Sequence, residues 1–276
     1  MPLSDKELQD LKQKAAQLRN DIVDVTFWAG GAHIGGALSM VEIITILYYK
    51  YMKIDPKNPD WEERDRFVLS KGHAGVGLAP MLANLGFFDK ETLKTFNQFN
   101  SPFGMHLDSL KVRGLDASTG SLGHGLSMAL GMALAARVKK LTYKTYCLVG
   151  DGELNEGSNW EAIMAAAHFG ATNLIPIVDY NKHMIDGKVN DVMSLEPLAD
   201  KWEAFGFEVV EVDGHDFNEL ARALDIANSA MLKPVVIIAH TVKGKGVDFM
   251  EDETKWHYGS IDSVMLEKAK ASIKVG

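Results

Sequence analysis

At 276 residues, 46% hydrophobic and 24% charged, the chain has the composition of an ordinary globular protein and enough apolar material for one substantial core. Its net charge of -8 and pI near 5.6 argue against a nucleic-acid partner. No apolar run is long enough to span a bilayer and no signal peptide opens the chain, so a cytoplasmic protein without a membrane partner is expected; the lone Cys147 excludes an internal disulfide.

Ser4 and Glu7 form a capping-box pattern, and Leu8, Leu11, Ala15, Leu18, Ile22 and Val25 recur at helical spacing. They predict a long amphipathic helix up to Ala29, ended by Gly30-Gly31. The run AHIGGALS reads as a glycine-rich loop carrying His33, after which Ser39 and Glu42 open a capped helix to about Met52. FVLS is a short buried strand that sets His73 at its carboxyl edge. GVGLAPMLANLGFF is helical with Pro80 as a potential kink, Asp89 caps a helix through Phe96, and Asn100 to Gly114, with His106, is loop. STGSLGHG leads into a helix that is apolar on all sides, hence expected to be mostly buried and of a kind common at subunit interfaces.

Two buried strands follow, Tyr146 to Val149 and Leu174 to Val178, separated by a helix from about Ser158 to Phe169. The first stops at Gly150-Asp151-Gly152 and the second at Asp179-Tyr180-Asn181, so a carboxylate and an amide face one crevice. Gly-Asp-Gly alone is also an ordinary turn; its spacing to Asn181 is what points to a diphosphate and a hard cation held by oxygens. Mg2+ is the natural occupant, with Ca2+ or Mn2+ as alternatives. Helices near Pro197 to Phe205 and Phe217 to Met231 alternate with the strands FEVVEVD and VVIIAHT, and a short helix from Ser263 closes the chain. The alternation predicts one domain, residues 1–276, of three-layer α/β/α type with a doubly wound, mostly parallel sheet.

Gly150-Asp151-Gly152 followed by Asn181 resembles the thiamine-diphosphate motif, with Tyr180 where the family has its first asparagine, and GDGELNEGSNWEA is similar to the transketolase version. The likeness runs over nearly the whole chain and covers the N-terminal third of a full transketolase. It implies that thiamine diphosphate meets His73, Gly152 and Glu153, with Lys243 open to either a diphosphate contact or a solvated surface. It implies a metal shell of Asp151, Asn181 and the carbonyl of His183. STGSLGHG matches the family's Gly-Pro-Leu-Gly-Gln-Gly stretch, so Gly120, Ser121 and Leu122 would line the aminopyrimidine, with Ser121 replacing proline and His124 replacing glutamine.

By the same resemblance His33, His106 and His257 would touch substrate and move protons, although KWHYG offers one histidine where many transketolases have two. Glu156 and Glu161 align with acids placed between the two sites of a dimer, or are simply first-turn helix acids. The glutamate that pairs with the aminopyrimidine belongs to a pyrimidine-binding domain beyond this chain. The resemblance therefore implies the N-terminal subunit of a split transketolase acting on sugar phosphates in the pentose phosphate pathway, forming a heterotetramer with a C-terminal partner. A deoxyxylulose-phosphate-synthase-like or specialised sugar enzyme, or a non-catalytic cofactor-binding partner, is the alternative. A nicotinamide dehydrogenase is disfavoured because no Gly-x-Gly-x-x-Gly follows the first strand.

Overall fold

A computed structural model describes residues 2–275. The capping box forms at Ser4 and starts α1 (Asp5–Trp28), whose buried stripe includes Leu11, Leu18 and Ile22. Gly30 and Gly31 take positive φ and turn the chain. AHIGGALS departs from the loop reading: Ile34–Ser39 is a short buried helix, α2, and His33 is the residue preceding it. Its glycines serve packing, since a Cβ on Gly35 would lie 2.5 Å from the Trp256 carbonyl oxygen. Ser39 and Glu42 do not cap α3 (Val41–Ile46), because both side chains are drawn into buried networks described below. A π-helical turn over Leu47–Tyr51 completes that segment.

Five strands form the sheet among the described residues: β1 (Arg66–Leu69), β2 (Thr145–Gly150), β3 (Leu174–Tyr180), β4 (Glu208–Asp213) and β5 (Val235–His240). Every pairing is parallel and the order is β1-β2-β3-β5-β4. β2 and β3 are buried at every residue, as central strands covered on both faces must be, whereas β4 alternates at the edge. Cys147 packs inside β2, where burial raises its thiol well above the usual range.

One face is covered by α1 to α3, α4 (Gly75–Leu85) and a helix after β4, and the other by α5 (Gly125–Lys139), α6 (Gly157–His168) and a short helix before β4, each with its own apolar core. The three-layer prediction therefore stands. Pro80 lies within α4 without ending it, and the segment capped by Asp89 is a 3-10 turn, Lys90–Thr95, not an α-helix. α5 is buried on one side only: Leu126, Ala129 and Ala133 face the sheet, while Met128 and Val138 are exposed.

The chain leaves β1 and β5 toward the first face and β2 and β3 toward the second. Loops that diverge in this way open a crevice at the carboxyl edge of the sheet.

Candidate active site

The register sets Gly150 beside Asp179 and Tyr180 beside His240, so the segments that follow four strands emerge at one level. They enclose a cavity of about 240 Å³, and of the predicted site residues all but His106 and Ser121 line it. Those two share an adjoining open mouth with Gly120 and His124. Lys243 is 2% exposed, which overturns the reading of this lysine as solvated surface in favour of the diphosphate-contact one.

The oxygen donors are organised by backbone bonds. Asp151 accepts from the Gly152 amide at 2.7 Å and from the Lys182 amide. Asn181 donates through Nδ2 to Asp179 at 3.2 Å, which fixes its amide so that Oδ1 accepts from His183 N at 3.1 Å. The His183 carbonyl accepts from Lys243 Nζ at 3.3 Å, while its imidazole is bonded to Thr254 and Asp252 at 2.7 Å each. Tyr180 turns into the core of the opposite face and donates to Glu196, so it offers nothing to this cavity. Among the described residues no three His, Cys, Asp or Glu side chains converge as a metal site, so a cation here would have to rely on a carboxylate, an amide oxygen, a backbone carbonyl and ligand oxygens. That hard donor set suits Mg2+ or Ca2+ and not a soft metal.

The cavity also fits an anion. A Cβ on Gly36 would project toward His73 Nε2 and Lys71 Nζ, 3.7 Å from each, into the space they face. On Gly152 it would come within 2.9 Å of the Met184 side chain. His33 Nδ1 is buried without a hydrogen-bond partner. His33, His73 and His257 pack together with ring centroids 5.1 to 5.5 Å apart, and Lys243 Nζ lies 3.2 Å from His257 Nδ1.

Burial and nearby positive charge hold these imidazoles neutral. Burial, then His106 and Lys243, lowers His33 to about 4; burial, then Lys71, lowers His73 to about 2; burial, then Lys243, lowers His257 to about 3. Burial and then Lys71 lower Lys243 itself to about 8, while burial and then Asp179 raise Asp151 to about 7. Glu153 lines the cavity, but its carboxylate accepts from Ser70 and from the amides of Gly123 and Gly150 at 3.0 Å. These bonds tie the loops after β1 and β2 and the one before α5 together at the cavity wall.

A charged hub that no local motif marks lies beneath the cavity. Asp179, fully buried, accepts from Lys71, Thr241, Asn181 and, at 2.6 Å, Ser39; Lys71 also donates to the Gly36 carbonyl at 2.6 Å. Burial opposes ionisation of Asp179, but Lys71 outweighs it and its carboxyl lies below the usual value. The signal was present, as Lys71 and Asp179 are charged residues at the ends of buried strands. On the outer surface Glu156 and Glu161 are exposed beside Met164, next to the open side of α5.

Residues 11–274 match the family described as "Transketolase, thiamine diphosphate binding domain". The chain is 42% identical over 265 residues to the 6-deoxy-6-sulfo-D-fructose transketolase subunit SqwG of Clostridium sp. (strain MSTE9), covering 96% of each. It is 40% identical over 263 residues to one of the subunits of the apulose-4-phosphate transketolase of Phocaeicola vulgatus, covering 95% of this chain and 93% of that protein. The crystal structure of transketolase from Campylobacter jejuni superposes with a TM-score of 0.88 at 35% identity, covering 98% of this chain and 43% of that one. With the strand-end crevice, the oxygen donors, the buried lysines and the half-buried histidines all in this domain, the chain belongs to the thiamine diphosphate-binding domain family of the transketolases.

Proposed function

We propose that this chain is the N-terminal subunit of a two-chain transketolase. The observation that carries the reading is the one cavity lined together by Asp151, Asn181 and His183 and by Lys243, His73 and Gly152. The oxygens would hold Mg2+, and the lysine, histidine and glycine amide the diphosphate. Gly120, Ser121 and Leu122 would border the aminopyrimidine. When bound, thiamine diphosphate supplies the nucleophile and electron sink for cleaving a ketose beside its carbonyl. His33, His106 and His257 would bind the sugar hydroxyls, and the neutral imidazoles of His33 and His257 can accept hydrogen bonds from them.

The glutamate that activates the cofactor would come from the pyrimidine-binding domain of a C-terminal subunit. Two copies of each chain form the expected heterotetramer, with Glu156, Glu161 and the apolar exposed sides of α5 and α6 between the copies. No helix of the described residues is long and apolar enough to cross a membrane, and the chemistry suits a cytoplasmic enzyme of the pentose phosphate route. A specialised sugar substrate is the second reading, favoured by relatives named for sulfo-deoxyfructose and apulose-4-phosphate.

The test is ketol transfer between a ketose phosphate and an aldose phosphate with thiamine diphosphate and Mg2+, by the chain alone and mixed with its candidate partner. Activity in the mixture only is expected. Turnover by the chain alone would refute the split reading, and a confirmed, cofactor-loaded complex without turnover would redirect it to another sugar.

A further inference from the structure

Lys243 sits on a strap, residues 241–246, that crosses the carboxyl edge of the sheet, and its ammonium goes where the strap's backbone puts it. Val242 N donates to His215 Nε2 at 2.9 Å, Gly244 N to the Gly35 carbonyl at 3.0 Å, and Arg19 Nε to the Lys245 carbonyl at 2.9 Å. The first and last of these bonds meet on one carboxylate. Glu42 pairs with Arg19 through both oxygens, at 2.6 and 2.8 Å, and is 2.9 Å from His215 Nδ1.

A peptide N–H can only donate, so Nε2 of His215 is the bare nitrogen and Nδ1 carries the proton toward Glu42. Glu42 stays ionised: burial opposes its charge, Arg19 and then His215 outweigh that, and the carboxyl is held down to about 2. None of the three lines the 240 Å³ cavity; they border a separate cavity of about 460 Å³.

From this geometry we propose that Arg19, Glu42 and His215 are positioning residues for the cofactor site, fixing the backbone on both sides of Lys243 and thereby the place where its ammonium meets a diphosphate. The inference rests on the proposed role of Lys243. It predicts that a residue outside the cavity controls affinity through one lysine, as outer-shell partners control the ligands they orient.

Three measurements test it on the full chain. Nitrogen-15 shifts of the His215 ring should report a bare Nε2 and a protonated Nδ1; the opposite tautomer overturns the proposal without any variant. In the ligand-free protein, His215→Leu should speed hydrogen exchange at Val242 and Gly244, while His215→Gln, which keeps an acceptor and a donor, should not. Calorimetry of the chain in complex with its C-terminal partner, with thiamine diphosphate and Mg2+, should find the Leu variant weakened roughly 10- to 100-fold, the Gln variant near wild type, and no further loss on adding His215→Leu to Lys243→Ala. Undiminished loss in the Lys243→Ala background, or unchanged affinity of the Leu variant, overturns the inference and leaves the proposed function standing. If the wild-type complex of this chain with its C-terminal partner binds no thiamine diphosphate, the functional reading fails and this inference with it.

Discussion

Replacing Lys71 by Met strands the Asp179 carboxylate at a site with no solvent. The lysine is 2% and the aspartate 0% exposed. Breaking a buried pair from one side costs about 3–5 kcal/mol, because the remaining charge is left uncompensated. Asp179 keeps donors from Ser39, Thr241 and Asn181, and hydrogen bonds to a charged group contribute about 1.5–3 kcal/mol each, so the lower end, about 3 kcal/mol, is expected. Adding Asp179→Asn removes the stranded charge while leaving Ser39 and Thr241 able to turn their hydroxyls. The double variant should therefore be more stable than Lys71→Met alone by at least about 1 kcal/mol, a sign reversal that independent contributions cannot produce. Equilibrium unfolding in urea at pH 7, followed by circular dichroism, measures both differences. A double variant less stable than the single, or a Lys71→Met loss below about 1 kcal/mol, would refute the account of Asp179 as a buried charge held by this lysine.

Asp151→Asn should reduce Mg2+-dependent binding of thiamine diphosphate by more than the roughly 10- to 100-fold typical of losing an outer-shell partner; calorimetry showing unchanged affinity would remove Asp151 from the metal shell. The folded values of His33, His73 and His257 lie below the ordinary 6.5. The unfolded chain therefore binds protons that the native one refuses, and stability falls as pH drops below about 6.5 toward the folded values. Thermal melts between pH 7.5 and 5 should show the midpoint falling and inorganic diphosphate reducing the fall; a flat profile would contradict the buried neutral cluster. A Cβ on Gly125 would lie 2.4 to 2.6 Å from Ser70, its Cα included. Gly125→Ala should then cost about 1–3 kcal/mol in urea unfolding by forcing α5 from β1, and a neutral result would show that the contact yields.

The strand ends were legible because each is a local pattern: an apolar run that stops at a glycine, a carboxylate or an amide. Thus Asp151, Gly152 and Asn181 could be brought to one crevice from sequence, and the cavity contains them. Lys243 was ambiguous because lysine beside glycine in a polar loop ordinarily points to water, and only the parallel topology folds that loop over the sheet edge. The Asp179 hub draws partners from three segments besides its own, so although Lys71 and Asp179 stand out as charges at strand ends, no spacing announces their pairing. AHIGGALS misled for a related reason. Glycine signals loop when read locally, yet Gly35 is glycine because another backbone lies against the helix.

The site carries charge in an arrangement that opposes folding. Lys71 and Lys243, the imidazoles of His33, His73 and His257, and the carboxylates of Asp151, Glu153 and Asp179 share a region mostly closed to water, and outside the Lys71–Asp179 pair the shifts run in the direction that discharges them: Lys243 and the histidines downward, Asp151 and Glu153 upward. A core built only for stability would replace such groups with apolar ones of the same volume. Lys71 and Asp179 are matched internally, whereas Asp151 and Lys243 line the same cavity, Asp151 accepting only from backbone amides and Lys243 donating to the His183 carbonyl. A cation on the carboxylate side and an anion on the lysine side relieve both at once, each making the other's arrival easier. That mismatch distinguishes Asp151 and Lys243 from the balanced pairs elsewhere in the fold, and it argues for a ligand bearing negative charge and bringing its own metal.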